Sequence, residues 1–382
     1  MRIVLSLLIL LCCHAGIAAE PAGGAALQAA IDACHARAAP ERDACLEKLL
    51  APTPDEAARV LAGQQWTAAY SSRVARELAA SGAARELAFA ASLHRASRPY
   101  TVTDRGIEPG RPLPDPLADA WWRQAAARAG NDVLAWTLLV QDEPRMREQA
   151  AARWQALEPD NLAAWLAGEP TVDRLLSAVV HATHYTSHLY QRLRWMAATL
   201  RAHPPSAAEA RAWLAIPDGA PAAFDPEQFA TIAAFGIDMA VATPALLPLM
   251  QACRAQGSAM TPTRRQQCRH VAGLMADRSD TQLAESIGIG LLKTLAGSDL
   301  ERDEAARRRR HLEWQQFQRF ILDGGGQGQE QRFLKLFRDP SLRNERELTE
   351  RMLREAGVPL EPHAGWTMPP PQSWFPPPPP PR

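Results

Sequence analysis

The sequence predicts an all-α protein built from stacked helical hairpins, arranged as an irregular α-solenoid or a helical bundle. The composition is dominated by alanine, leucine, arginine, glutamate and glutamine, which all favour helix. The alternation of apolar and polar residues that is typical of β-strands is missing, and most prolines and glycines fall between the periodic segments. Hydrophobic residues make up 47% of the 382 residues, which is enough for a substantial core.

The first 19 residues predict a secretory signal peptide. Arg2 precedes an apolar run from Ile3 to Cys13, and small residues then lead to a cleavage position after Ala19. This run is shorter than a membrane-spanning helix, and no other stretch reaches about 18 uninterrupted apolar residues. We therefore expect a soluble mature chain that is not integral to the membrane and is located in the periplasm.

The four cysteines that remain after cleavage predict two local disulfides. Proximity in sequence favours the pairs Cys34–Cys45 and Cys253–Cys268, each closing a helical hairpin around a turn. The alternative is a metal site formed by four thiolates. That site lacks the short CxxC spacing typical of zinc ligands, and an oxidising compartment disfavours free thiols.

Breaks in the helical period divide the mature chain into four parts. Residues 20–98 predict an N-terminal helical region, 99–116 a linker rich in proline and glycine, and 117–356 a repeat-like helical domain. Residues 357–382 contain six consecutive prolines and predict a disordered tail with polyproline II character. A docking peptide is the alternative interpretation of this tail.

Charge and motifs argue against several classes of function. The formal net charge is zero, which gives no indication of a nucleic-acid partner. The motifs GxSxG, SxxK, HExxH and GxxxxGK[ST] are all missing. Gly288 and Gly290 lie in an apolar helical pattern and predict close helix packing rather than a phosphate site. The run Arg307 to Arg310 predicts a solvated helix face, with an anionic surface as the alternative.

An internal similarity links residues 130–139, GNDVLAWTLL, with residues 158–167, EPDNLAAWLA. Trp136 and Trp165 take matching places, 29 residues apart, and an amphipathic helix ending in ALEPDN lies between them. The stretch 117–168 resembles a tetratricopeptide repeat, although the usual period is about 34 residues. The resemblance implies stacked helix pairs with a concave surface for protein partners.

Three of the ten histidines lie close together in the sequence HATHYTSH. If residues 172–200 form one helix, His181, His184 and His188 fall within a sector of about 60°, opposite the apolar stripe. Arg192 and Trp195 lie on the same face. This face is a solvated polar surface or is hydrogen-bonded to a second layer of helices. The alternatives are a binding surface for an anionic or aromatic ligand, and a weak metal site at His184 and His188, which are spaced i,i+4.

Together, these observations predict a secreted, non-enzymatic helical protein that acts as an interaction scaffold. We expect a protein partner or another envelope component, and no cofactor. The alternative is an envelope hydrolase or a metal-binding protein that uses the face formed by His181, His184 and His188. The sequence predicts no catalytic residue.

Overall fold

The described part of the chain is helical apart from one short β-hairpin. The structure is a computed structural model and describes several stretches of the chain. They are residues 29–50, 54–97, 100–103, 106–109, 114–141, 144–168, 171–215, 224–241, 246–254, 260–323 and 327–370. The predicted all-α fold class is confirmed, and the signal peptide predicted over residues 1–19 lies outside the described residues.

The helices of the described residues are numbered here in chain order. They are α1 (29–35), α2 (Glu41–Leu50), α3 (Pro54–Ser81), α4 (Ala84–Ala96), α5 (Pro116–Arg128), α6 (Val133–Leu139), α7 (Pro144–Leu157), α8 (Leu162–Ala167), α9 (Val172–Ala178), α10 (Leu189–Ala202), α11 (Ala207–Leu214), α12 (Pro226–Val241), α13 (Leu246–Cys253), α14 (Pro262–Asp277), α15 (Gln282–Leu295), α16 (Asp299–Asp323), α17 (Gln327–Arg338) and α18 (Glu345–Glu355). The strands β1 (Tyr100–Thr103) and β2 (Gly106–Pro109) pair antiparallel between α4 and α5.

Short polar side chains begin several of these helices. The carboxylate of Asp132 caps α6, and the side-chain oxygen of Asn161 caps α8. Ser206 and Glu209 form a reciprocal capping box at the start of α11. Each cap satisfies a backbone N–H that has no partner within its helix, and such a cap contributes about 1 kcal/mol.

Helices that follow one another in the chain pack as hairpins. α3 packs on α4, α4 on α5, α14 on α15 and α15 on α16. The turns that join α3 to α4 and α14 to α15 are short, which sets such neighbours side by side and antiparallel. Ala88, Ala90 and Ala91 on α4 are almost completely buried. This stacking of sequence neighbours is the arrangement expected of stacked helical hairpins.

The predicted linker does not divide the described residues into two cores. Part of it forms the hairpin β1–β2, and α5 begins at Pro116. A single cluster of buried apolar side chains extends from Trp66 on α3 to Met352 on α18. Arg73 on α3 also forms an ion pair with Glu209 on α11, with an N–O distance of 2.9 Å. Proline and glycine in 99–116 interrupt the helical period without interrupting the packing.

The first part of the predicted tail packs against α16. Trp366 is buried, and its ring meets the ring of Trp314 edge-on with centroids 5.3 Å apart. The indole Nε1 of Trp314 donates a hydrogen bond of 2.8 Å to the carbonyl of Pro359. Disorder is therefore the wrong prediction for 357–370. Trp314 and Trp366 bury apolar area against each other, and the proline-rich composition gives no indication of this contact. Residues 371–382 lie outside the described residues.

Both predicted disulfides are confirmed. Cys34 is bonded to Cys45 at the turn between α1 and α2, and Cys253 is bonded to Cys268. The second pair joins α13 to α14, and both of its residues are completely buried. Each disulfide therefore links sequence neighbours and holds one helical hairpin closed.

Thiol labelling under denaturing conditions tests these two disulfides. We expect no reactive thiol in the unreduced mature protein, because all four cysteines are paired. Reduction should expose four thiols, counted by intact mass after alkylation. A Cys253→Ser variant serves as the control, since it frees Cys268 and should add a single thiol. Four reactive thiols before reduction would contradict the assignment.

The two similar sequences at 130–139 and 158–167 fold alike. In each, an indole Nε1 donates to the carbonyl six residues earlier in the chain. Trp136 donates to Gly130 at 3.0 Å, and Trp165 donates to Pro159 at 2.9 Å. A turn followed by a helix therefore recurs, whereas relationship to the tetratricopeptide family stays a prediction.

No helix of the described residues is both long and apolar enough to cross a membrane.

Candidate functional site

The histidine segment, residues 181–188, is not part of a continuous helix. α9 ends at Ala178, a 3₁₀ turn covers Val179–His181, and extended chain continues until α10 begins at Leu189. His188 has a φ of 57°, in the left-handed region that residues other than glycine rarely adopt. The helix predicted through 172–200 is therefore wrong.

The face predicted for the three histidines with Arg192 and Trp195 consequently does not exist. His181 is exposed at the end of the 3₁₀ turn, His184 is half-buried on extended chain, and His188 is half-buried in a left-handed conformation at the start of α10. Arg192 is buried, and Trp195 packs on a neighbouring helix. Ligand binding by these residues stays a prediction, without the shared surface that motivated it.

One edge of the histidine segment is bonded to the turn before α8. The backbone N–H of Leu162 donates to the carbonyl of His184 at 2.9 Å. The side chain of Asn161 contacts Thr186 twice, donating to its carbonyl at 2.8 Å and accepting from its N–H at 2.9 Å. The buried side chain of Asn161 thus substitutes for a backbone strand partner.

The other edge of the histidine segment is bonded to the turn between α14 and α15. The N–H of Tyr185 donates to the carbonyl of Arg278 at 3.0 Å, and the N–H of Asp280 donates to the carbonyl of Tyr185 at 3.1 Å. The Asp280 carboxylate accepts from the N–H of Ser187 at 2.9 Å and from its hydroxyl at 3.0 Å. The segment therefore ties two turns from distant parts of the chain together.

His188 ends this segment in a hydrogen bond to Glu158. Its Nε2 lies 2.9 Å from Glu158 Oε2 and 3.1 Å from Oε1. Trp154 Nε1 and Asn161 Nδ2 donate to the same carboxylate at 2.7 and 2.8 Å. Burial alone would raise the pKa of Glu158, but these three hydrogen bonds outweigh it and lower the pKa to about 2. Burial would lower the pKa of His188, but the bonds to Glu158 raise it above 6.5.

The His188–Glu158 pair predicts a pH-dependent stability. The raised pKa of His188 gives a stabilisation that is complete below pH 6.5 and is lost as pH rises through the folded-state pKa. The lowered pKa of Glu158 gives a stabilisation that is present above pH 4.5 and is lost as pH falls towards about 2. The pair should therefore contribute most between about pH 4.5 and 6.5.

Thermal melting from pH 4 to 9 checks this prediction. The melting temperature of wild type should fall more steeply above pH 6.5 than that of a His188→Gln variant. A matched His181→Gln variant, changed at an exposed histidine, should keep the wild-type profile. Parallel profiles for wild type and His188→Gln would show that the pair does not cause the loss of stability above pH 6.5. Asp280 also faces His188: burial raises the pKa of Asp280, and the positive charge of His188 acts in the opposite direction.

No group of three or more histidine, cysteine, aspartate or glutamate side chains in the described residues is arranged to hold a metal ion. The weak metal candidates His184 and His188 are not one helical turn apart, because His184 lies on extended chain and His188 is left-handed at the start of α10. His188 uses both ring nitrogens, one towards Gln191 and one towards Glu158. A metal ion at His188 would have to displace one of these two partners.

A second cluster of charged groups lines a cleft between α15, α16 and α18, which we call the ionic cleft. Its lining carries three arginines, three glutamates, one histidine and one glutamine. The cleft encloses about 230 Å³. This volume suits one or two side chains, since sites for drug-sized ligands usually start at about 300 Å³.

Two arginines form the floor of the ionic cleft. Arg308 and Arg346 each donate to the carbonyl of Ala276, at 3.1 and 3.3 Å. Because Ala276 lies in the last turn of α14, its carbonyl belongs to the negative end of the helix dipole. Arg346 also pairs with Glu285 at 2.7 Å, and Arg308 pairs with Asp277 at 2.5 Å. Both guanidinium groups are therefore held in place.

Burial has the largest effect on the pKa of Glu285, the acidic group on this floor. It raises the pKa of Glu285, although the positive charges of Arg346 and Arg308 act in the opposite direction. The side chain of Glu285 is 13% exposed. The floor thus combines a mostly buried carboxyl group with two fixed cations.

The mouth of the ionic cleft is formed by His311 and two exposed side chains. Gln315 is buried, and its amide lies 2.7 Å from His311 Nε2. With that amide donating, the imidazole carries its proton on Nδ1. Nδ1 lies 3.1 Å from a carboxylate oxygen of Glu361, whose side chain is 81% exposed. Arg307 is also exposed; it pairs with Glu304 one turn earlier on α16, and the charge of Glu361 adds a smaller attraction. Hydrogen-bond donors therefore face outward here.

Sequence reasoning missed the ionic cleft. It treated Arg307 to Arg310 as a solvated face, but Arg308 turns towards the end of α14, and Arg309 bonds to Ser286 on α15. The four arginines spread around α16, as the helical period requires. Which of them contacts another helix depends on how α14 and α15 pack. The run of arginines was therefore the only local indication of the ionic cleft.

Comparison with protein-family models, with curated proteins and with solved structures gives no match for this chain. The functional interpretation therefore rests on the residues and contacts described above.

Proposed function

We propose that the chain is an exported helical protein of the cell envelope that binds a protein partner and catalyses no reaction. The ionic cleft carries this proposal. It presents donors and acceptors of both charge signs on helices whose positions are fixed by their own ion pairs. Exposed arginine and complementary charge are typical of the surfaces by which proteins choose their partners.

Two further observations support the proposal. The disulfides Cys34–Cys45 and Cys253–Cys268 suit an oxidising compartment, in agreement with the signal peptide that the sequence predicts. The groups with shifted pKa around the histidine segment, Glu158 and His188, hold each other and connect helices. Their environment is that of a structural network, in which each charge has an internal partner.

Affinity capture from periplasmic extract tests the proposal. The bait is the mature chain, residues 20–382, as wild type and as an Arg307→Glu variant. Arg307 is exposed at the cleft mouth, so the reversal changes the surface charge and leaves the core intact. We expect wild type to capture one partner, and Arg307→Glu to capture at least about tenfold less of it. The reversal removes a charged contact at the interface.

The matched control is Arg123→Glu, which makes the same charge reversal on the exposed face of α5. It should capture the partner as wild type does. Equal capture by all three baits would show that the partner binds elsewhere, and the absence of any protein that distinguishes them would refute binding at the cleft. Variants of His188 are unsuitable for this experiment, because loss of the pair with Glu158 is expected to change stability as well as the surface.

A further inference from the structure

The chain itself places a carboxylate at the mouth of the ionic cleft. Glu361 belongs to the segment 357–366, which follows α18 and has no helix. The segment is fixed on one side of Glu361 by the bond from Trp314 to Pro359, and on the other by the packing of Trp366. Between these two points the carboxylate reaches His311. A non-helical stretch of chain, bent at Leu360 and Glu361, therefore already places one acidic side chain on this surface.

The contact made by Glu361 is shallow. Its side chain is 81% exposed, whereas His311 is 33% exposed. An exposed ion pair contributes at most about 1 kcal/mol, because water and salt screen it. The tryptophan contacts anchor the segment, so exchange of the carboxylate at His311 does not require the core to open.

The remaining charges of the cleft favour another carboxylate at the same position. Glu285 is engaged by Arg346, and Glu350 is engaged by Arg354 at 2.7 Å. The donors that face outward are the Nδ1–H of His311, which meets Glu361, and the exposed guanidinium group of Arg307, which pairs with Glu304 on its own helix. Glu285 and Glu350 would repel a ligand that carried several negative charges into the cleft. The arrangement therefore suits one carboxylate rather than a polyanion.

We propose that the mouth of the ionic cleft recognises a single acidic side chain on a non-helical segment of the protein partner, and that Glu361 occupies this position until the partner replaces it. This inference rests on the proposed function and specifies its ligand. Arg307 and His311 are the recognition residues. The carboxylate of Glu361 acts as a tethered competitor, whose effective concentration on so short a tether is on the order of millimolar.

A labelled peptide with the sequence VPLEPHAGW, residues 358–366, is the probe, and its Gln analogue VPLQPHAGW is the control. Binding to the full mature chain is measured by fluorescence anisotropy. Because Glu361→Ala removes the competing carboxylate, we expect this variant to bind VPLEPHAGW about threefold to fivefold more tightly than wild type does. It should also prefer this peptide to the Gln analogue by about threefold to fivefold, as expected for an exposed charge-assisted contact.

Adding Arg307→Glu to Glu361→Ala should abolish the preference for the acidic peptide, while adding the control Arg123→Glu should preserve it. Matching melting temperatures for these variants establish that each is folded. Equal affinity of Glu361→Ala for both peptides, or no binding of either, would overturn the inference. The peptide experiment uses no partner protein. If a partner is captured but the peptides show no preference for the carboxylate, the inference is wrong and the proposed function stands. If the acidic peptide binds but no partner is captured, the proposed function is wrong.

Discussion

Replacing Asp238 with alanine should lower the free energy of unfolding by about 3 to 5 kcal/mol, the range for breaking a buried ion pair from one side. Asp238 on α12 is 4% exposed and pairs with Arg192 on α10, which is 8% exposed. Gln141, after α6, donates to the same carboxylate at 2.9 Å, and Arg192 also donates to the carbonyl of Ser187 in the histidine segment at 3.1 Å. The substitution leaves a buried guanidinium group without its counter-charge.

Chemical denaturation measures this effect as a shift of the unfolding midpoint. The matched control is Asp299→Ala, which breaks an exposed pair with Arg302 and should cost less than about 1 kcal/mol. A double variant, Arg192→Met with Asp238→Leu, should recover most of the loss, because apolar groups of similar volume need no counter-charge. An Asp238→Ala midpoint equal to that of Asp299→Ala would show that the buried pair contributes little.

Gly288→Ala should destabilise the protein by about 3 kcal/mol, at the upper end of the range for overpacking. A Cβ at this position would lie 2.5 Å from the backbone nitrogen of Ala276 and 2.7 Å from the carbonyl oxygen of Ala272 on α14. These are backbone atoms of a packed helix, so they cannot move aside as the end of a flexible side chain could. The two helices would have to separate.

Gly290 provides the matched control, two residues further along the same helix. A Cβ at Gly290 meets nothing within 4 Å. Gly290→Ala should therefore be neutral or should stabilise α15 by up to about 1 kcal/mol, because alanine favours helix. Thermal melting of the two variants compares them directly. Similar melting temperatures would show that α14 and α15 tolerate a wider separation.

This comparison also separates two predictions about the glycine pair. The apolar period around Gly288 and Gly290 predicts packing rather than phosphate binding, and the structure confirms this for Gly288. It places no neighbour near Gly290. The sequence alone treats the two glycines alike, since the difference depends on the angle at which α15 crosses α14.

The histidine segment shows where the local pattern fails. The assumption of a helix through 172–200 places His181, His184 and His188 on one face, but the backbone between His181 and His188 bonds to turns far away in sequence. Thr183, Thr186 and Ser187 are weak helix formers and were the only local indication of extended chain. Arg192 is also misplaced by that assumption, because its counter-charge, Asp238, lies on a later helix.

The sequence by itself determined the features that depend on neighbouring residues. These are the helical character, the polar N-caps, the recurrent turn before Trp136 and Trp165, and the two disulfides, which close short loops. The tertiary structure alone decided the course of the histidine segment, the buried pair of Arg192 with Asp238, the burial of Trp366 and the ionic cleft. Each of these joins residues that are distant in the chain, and a local periodicity carries no information about which distant backbone or charge will become the partner.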